Sequence, residues 1–433
     1  MLFYKFNKNH KKNILQTKVI AHLSDSNFNG AFSAAFKIHK TCQNLGYHSK
    51  FYCRYSSSSD NLDSDTYVQN KFLTIFIYFK KKLRNFLSFY LKNKQNEQSK
   101  FAFYQFNEAN NNGINEKLVK QIDNIDVLFV HWVTNFINFY DLKRIKEKTN
   151  CKIIFTMMDM ANVTGGCHYS NNCLEYVNDC NNCPATTNKK LPIMQLNSKK
   201  EVSNFLNAEI ISFSKQDHIH SLKSSIYFSK YHHLTLPYDS NIFRPLEKLN
   251  NKQKYFNVLG SAFTSLNLRK GPHLFFKSLK ILDELVGEKK KIKVFHIDLD
   301  FESKHNFKNI VFEKFNFIKS PKDLVKFYNS MDLIMFTSVA DAAPQMMAES
   351  LMCGVPVVSF NVGEAENIIE NGVDGFVIKK FDTHDLSLKS YASLYENPVN
   401  WATKKNRANR ASKKHSSKLF NYKLDEIIKN YES

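Results

Sequence analysis

The sequence predicts an α/β protein built on parallel sheets. Short apolar runs such as residues 126–131 (DVLFVH) and 355–360 (VPVVSF) alternate with stretches of helical period. That is the pattern of strands buried on both faces. Residues 18–24 (KVIAHLS) read as such a strand, followed by a loop at 25–30 and a helix over 31–45 with Gly46 after it. Strand, small-residue loop and helix make the usual start of a dinucleotide-type half-domain, whose helix amino end suits a phosphate or sugar. The length, 433 residues, allows two or three domains.

Composition narrows the partners. Lys and Arg number 61 against 40 Asp and Glu, a net charge of +21. This excess favours anionic partners, whether nucleotides, lipid or nucleic acid, and no nucleic-acid module accompanies it. No secretory signal and no run long enough to span a bilayer is visible, which predicts a cytoplasmic protein with mostly reduced thiols.

Along the chain, residues 71–94 carry phenylalanines on one helical face and Lys81, Arg84 and Lys92 on the other. This suits either an anionic membrane surface or ordinary packing on a domain. His131 closes the strand 126–131, at the carboxyl edge where open sheets bind ligands. The strand at 151–157 leads into a long loop with Cys167, Cys173, Cys180 and Cys183. A structural tetrahedral zinc, two disulfides and four free thiols are the readings of that spacing. Cys42, Cys53, Cys151 and Cys353 fit small core positions. Ser214 is placed to cap the helix after the strand 209–213, and a Pro-containing segment from 237 to 245 precedes the second half.

The second half opens with the strand 255–260 and reaches Arg269-Lys270-Gly271, with Pro272 at a helix start. Two cations before a helix amino end suit a diphosphate. Asp298-Leu299-Asp300 resembles a divalent-cation motif but reads more simply as a surface turn. The basic run at 404–418 reads as a solvated helix face.

Residues 341–375 organise the whole. Pro344 begins a helix with Met347, Leu351 and Met352 on one face, Gly354 ends it, and the strand 355–360 follows. Glu349 then sits on a helix at the binding edge, where a carboxylate can accept both hydrogen bonds of a ribose diol.

Asp341, seven residues, Glu349, then CGVPVVSF, Gly363-Glu364 and a closing NGVDG at 371–375 resemble the donor-site signature of family 4 retaining glycosyltransferases. Thr164-Gly165-Gly166-Cys167-His168-Tyr169, Arg269-Lys270-Gly271 and Asp341 followed by Pro344 are similar to the branch acting on colanic acid and other extracellular polysaccharides. Three positions depart from the pattern: Asp341 stands for the usual Glu, Asn29 for the first Gly of a Gly-Gly-Ala loop, and Met158 for a His.

The resemblance implies a GT-B fold, with two Rossmann-like domains facing across a cleft. It implies an acceptor domain at 1–238, a donor domain at 239–415, and a last helix, 416–433, crossing back to the first. It implies a nucleotide-sugar donor, a glycan or lipid-linked acceptor, and chemistry requiring no metal cofactor. Glu349 would bind the ribose, Asp341 a sugar hydroxyl, and Arg269 and Lys270 the diphosphate. Gly30 and the backbone of Gly363, Glu364 and Ala365 would approach phosphates or sugar, and His131 would lie near donor sugar and acceptor. The departures leave a weakly catalytic, membrane-bound scaffold as the alternative, and the charge alone leaves nucleic-acid binding.

Overall fold

The computed structural model describes residues 17–26, 30–55, 66–68, 113–134, 136–247, 254–260, 268–297, 306–318, 320–397 and 400–430. The helix expected at 71–94, Asn29 and the Asp298-Leu299-Asp300 turn lie outside the described residues.

The first half runs β1 (Val19–Ser26), α1 (Gly30–Asn44), β2 (His48–Tyr55), β3 (Thr66–Val68), α2 (Glu116–Gln121), β4 (Val127–Val130) and α3 (Phe139–Thr149). It continues with β5 (Lys152–Met157), α4 (Lys190–Leu206), β6 (Glu209–Ser212), α5 (Lys215–Lys223) and β7 (Lys230–His233). Its strands form one parallel sheet, ordered β3-β2-β1-β4-β5-β6-β7. Every residue of β4, β5 and β6 is buried, as apolar strands covered by helices on both faces must be. Ser214 caps α5 by accepting the backbone N–H of Asp217.

The second half repeats the scheme. β8 (Phe256–Gly260), α6 (Pro272–Val286), β9 (Ile292–His296), β10 (Ile310–Lys314), α7 (Pro321–Ser330) and β11 (Leu333–Phe336) come first. α8 (Gln345–Met352), β12 (Val357–Phe360), α9 (Ala365–Ile368), β13 (Gly375–Ile378), α10 (Thr383–Tyr391) and α11 (Trp401–Lys414) follow. The sheet order is β10-β9-β8-β11-β12-β13, again all parallel. In both sheets the winding direction reverses beside the first strand, between β1 and β4 and between β8 and β11. Such switch points open a crevice at the carboxyl ends of the strands.

The last helix, α12 (Ser417–Lys429), returns to the first sheet. Phe420, Leu424, Ile427 and Ile428 are buried at helical spacing. Its final carbonyls are capped from the first sheet: Lys18 Nζ donates to Ile428 O (3.0 Å) and Lys152 Nζ to Ile427 O (2.6 Å). Cations at a helix carboxyl end offset its partial negative charge. The chain thus crosses between the halves twice, and the crossings touch. Tyr238 N donates to His415 O (3.3 Å), and His415 Nδ1 lies 3.0 Å from Leu236 O.

The basic run after residue 404 departs from the expected solvated face. Lys404 and Arg407 are buried, at 6% and 7% exposure. Arg407 donates to Gly354 O (2.7 Å) and Val373 O (3.0 Å), and Arg410 pairs with Asp374 (2.6 Å). These cations satisfy carbonyls where α8 ends, which composition alone does not reveal. Cys42, Cys53, Cys151 and Cys353 are buried as expected.

Candidate functional site

The carboxyl edge of the second sheet gathers the expected donor-site residues. Arg269 and Lys270 form a single 3₁₀ turn before α6. Gly271 then adopts φ +66°, and a Cβ there would come 2.1 Å from Thr337 O, so only glycine lets this turn rest on the end of β11. Asp341, in the loop after β11, faces both cations: Lys270 Nζ is 2.5 Å and Arg269 Nη1 3.4 Å from its Oδ2. Arg269 also donates to Ala340 O (2.6 Å). Burial alone would raise the Asp341 pKa, but Lys270 and Arg269 outweigh it and hold the carboxyl below its ordinary value. For Lys270 burial wins, aided by repulsion from Arg269, and its pKa is lowered despite Asp341. Asp341 is therefore the counter-ion of the turn.

Gly363 packs on the same loop. At φ +55°, a Cβ would lie 2.5 Å from Ala342 O and 2.9 Å from Asp341 O. Next to it Glu364 is 3% exposed, and its Oε1 has no hydrogen-bond partner among the described residues. Burial first, then Asp217 of the first half, pushes its pKa well up. The Ala365 N–H donates to Val362 O (3.0 Å), closing the turn that follows Gly363.

Glu349, on α8, is 8% exposed and accepts a hydrogen bond from Tyr328 Oη (3.0 Å). Its pKa is raised by burial, with Lys37 and Tyr328 pulling the other way. Lys37 belongs to α1, in the first half. Gly30 stands at the amino end of the same helix, where its carbonyl accepts from Gln345 Nε2 (2.9 Å). The two halves therefore meet where Gly30, Lys37, Gln345 and Glu349 lie.

A second meeting point joins the cysteine loop to the cations. The Tyr169 ring lies 4.7 Å from the Arg269 guanidinium carbon, a cation–π contact. Burial opposes the Arg269 charge, but Tyr169 and Asp341 carry its pKa upward. Beside Tyr169, His168 Nδ1 is 2.6 Å from Asp159 Oδ2, which also accepts from Trp132 Nε1 (2.7 Å). His168 thus supplies an imidazole on Asp159 where Met158 has none.

His131 lies directly after β4 but is sealed in, at 1% exposure. Its Nε2 is 3.0 Å from His22 Nδ1 and its Nδ1 is 2.7 Å from Thr156 Oγ1. Burial, reinforced by His39, lowers its pKa to about 3, so it is a neutral ring with both nitrogens engaged. The contacts around it are to His22, Thr156 and aromatic rings rather than to Asp341 or Glu349.

In the cysteine loop, Cys167 interacts with Cys183, Cys180 and Cys173. Cys167, Cys173 and Cys183 gather round Ala185, while Cys180 joins the first-half core beside Gly165. Among the described residues no three His, Cys, Asp or Glu side chains are grouped to hold a metal ion. All four thiols are free. The Cys167 thiol donates to Cys183, which lowers the pKa of Cys183. Lys199 also holds the loop, donating to Ala161 O and Thr164 O (2.8 Å each).

Sequence reasoning missed Lys37, Gln345, Tyr328 and Asp217. Lys37 and Asp217 belong to helices whose only local signal is amphipathic period, and their importance appears only when the halves are set together.

Comparisons with known proteins agree with this geometry. Residues 242–415 match the model of "Glycosyl transferases group 1". The chain is 25% identical over 201 residues to the capsular polysaccharide biosynthesis glycosyltransferase CapM of Staphylococcus aureus; the match covers 44% of this chain and 52% of CapM, about half the length of that relative. Among solved structures, Anabaena Alr3699/HepE in complex with UDP and glucose superposes with a TM-score of 0.60 at 13% identity, covering 95% of this chain and 99% of that one. Sucrose-phosphate synthase from Thermosynechococcus elongatus gives 0.58 at 11% identity, covering 95% and 98%. The fold is GT-B, and the part of the chain that carries Arg269, Lys270, Asp341 and Glu349 is the part that matches the model of the group 1 glycosyl transferases.

Proposed function

We propose that the protein transfers a sugar, with retention of anomeric configuration, from a nucleotide-sugar donor to a glycan or lipid-linked acceptor. The product class is a surface polysaccharide such as capsule, O-antigen or exopolysaccharide, made at the cytoplasmic face of a membrane. The observation that carries this reading is the Arg269–Lys270–Asp341 cluster, placed with Glu349 at the carboxyl edge of a group 1 glycosyl transferase domain. Similarity to structures containing UDP and UDP-glucose and to CapM supports the donor and product classes.

In this reading the diphosphate lies against Arg269 and Lys270 and replaces Asp341 as their counter-ion. Asp341 is thereby released toward a sugar hydroxyl. Negative charge grows on the leaving diphosphate as the glycosidic bond breaks, and fixed cations stabilise that charge most in the transition state. The same phosphate takes the acceptor's proton, so no protein base is needed. Glu349 accepts the ribose hydroxyls, exchanging part of its bond to Tyr328. Glu364, buried with one oxygen unpartnered among the described residues, faces the sugar. His131 acts at a distance, by fixing the end of β4 and with it Trp132.

A thermal-shift screen with UDP-, GDP-, ADP- and dTDP-sugars tests the proposal. One donor class should stabilise the protein, and Lys270→Ala should abolish the shift. The absence of a shift with all four would count decisively against it.

A further inference from the structure

Gln345, the first residue of α8, holds one face of α1. Its Oε1 accepts from Ser33 Oγ (3.0 Å) and Lys37 Nζ (3.0 Å), and its Nε2 donates to Gly30 O (2.9 Å). Residues 30, 33 and 37 share a helix face, so one amide side chain reads two turns of the opposite half. The Lys37 ammonium also lies 3.7 Å from the centroid of the Tyr238 ring. Tyr238 is in the segment that crosses between the halves, and His415 of the returning crossing meets its ring edge-on at 5.1 Å. Lys37 therefore stands where the first half, the donor helix and both crossings converge. Glu349 follows Gln345 by one helical turn and so faces the same side.

We propose that Lys37 is a positioning residue of the first half that couples donor binding to closure of the two halves. The inference rests on the reading of Glu349 as the ribose acid. A half-buried cation wedged between two bodies depends on keeping its partners in place. Here those partners are Gln345, Tyr238 and Glu349, and separating the halves removes all but Tyr238. A nucleoside diphosphate bound along Glu349, Arg269 and Lys270 adds negative charge in front of Lys37, and only the closed arrangement brings the ammonium to it. Donor charge thus favours closure, and closure supplies a third cation from the other half.

The titratable groups facing Lys37 are Glu349 on α8, Tyr238 on the crossing segment and, behind that ring, His415. Burial lowers the Lys37 pKa to about 8, with Glu349 acting in the opposite sense. The ammonium is charged below that pH and neutral above it, so the coupling weakens as pH rises through about 8.

The experiment uses the full chain and UDP as the probe. Dyes on noncanonical residues at the exposed positions Lys223 and Lys322 report the distance between the halves. Lys37→Met should widen the ligand-free distance distribution and weaken UDP binding about tenfold, the scale of one charge-assisted hydrogen bond. Wild-type affinity should fall above pH 8, Lys37→Met should lack that fall, and Lys37→Arg should bind without it up to pH 9.5. UDP binding in Lys37→Met with the wild-type distances and pH profile would overturn the inference alone. Failure of the wild type to bind UDP, GDP, ADP or dTDP would overturn the donor reading and this inference with it.

Discussion

Asp341 accepts from Lys270 at 2.5 Å, and the same oxygen stands 3.4 Å from Arg269. One carboxylate thus balances both cations that the proposed diphosphate would use. Asp341→Asn removes this internal competitor, so UDP should bind as tightly as in the wild type or a few-fold tighter, while turnover falls at least tenfold. Lys270→Ala should do the reverse to binding, weakening UDP by about 10- to 100-fold, since a buried charge-assisted bond is worth roughly 1.5–3 kcal/mol. Calorimetric titration of UDP separates the two; weaker binding in Asp341→Asn would show that the carboxylate organises the cations rather than competes for them.

The Tyr169–Arg269 contact makes the cysteine loop a support for the donor site. Tyr169→Phe keeps the ring and should leave the KM for donor within about twofold, because the attraction comes from the ring face. Tyr169→Ala should raise that KM by about 3- to 30-fold, the range of roughly 0.5–2 kcal/mol for such contacts. Equal behaviour of the two variants would exclude the ring as the supporting element.

Arg407 donates to two carbonyls at the end of α8 and near β13. Arg407→Met keeps much of the side-chain volume but leaves both oxygens without that donor. Unfolding in urea should show a loss of about 2–4 kcal/mol, from the roughly 1–3 kcal/mol penalty for each unsatisfied buried group. A loss below half a kilocalorie per mole would mean that water reaches these carbonyls.

His131 gives a pH signature. Its ring is neutral in the fold, with a pKa of about 3 against an ordinary value of 6.5. The unfolded chain binds the proton first, so stability from this site is complete above pH 6.5 and declines as pH falls toward 3. His131→Gln, which cannot titrate, should be less stable than wild type at pH 7.5, and the difference should shrink on acidification. Asp217, raised to about 7 by burial, titrates in the opposite sense and is common to both proteins, so it cancels in the comparison. A difference that grows at low pH would contradict a buried neutral ring.

Much of the fold could be read from the chain because parallel strands buried on both faces must be largely apolar, and 126–131, 151–157 and 355–360 are mostly so. Arg269, Lys270, Asp341 and Glu349 were legible because they fall at fixed offsets from Gly271, Pro344 and Gly354, residues that the backbone geometry demands. Lys37 and Gln345 were not, because their partners come from the other half and no local pattern encodes a surface met only after assembly. Lys404 and Arg407 were misread for a related reason. A cation that caps a carbonyl and one that faces water have the same sequence signature.

The helix over Ser417–Lys429 follows the donor-site half in the chain yet rests on the first sheet, with Lys18 and Lys152 gripping its end. Sheet and helix therefore complete each other: two lysines of the first half find acceptors, and two carbonyls of the helix find donors. A truncation at position 416 would spare nearly every residue of the donor-site half and strip Lys18 and Lys152 of their carbonyl acceptors in the other.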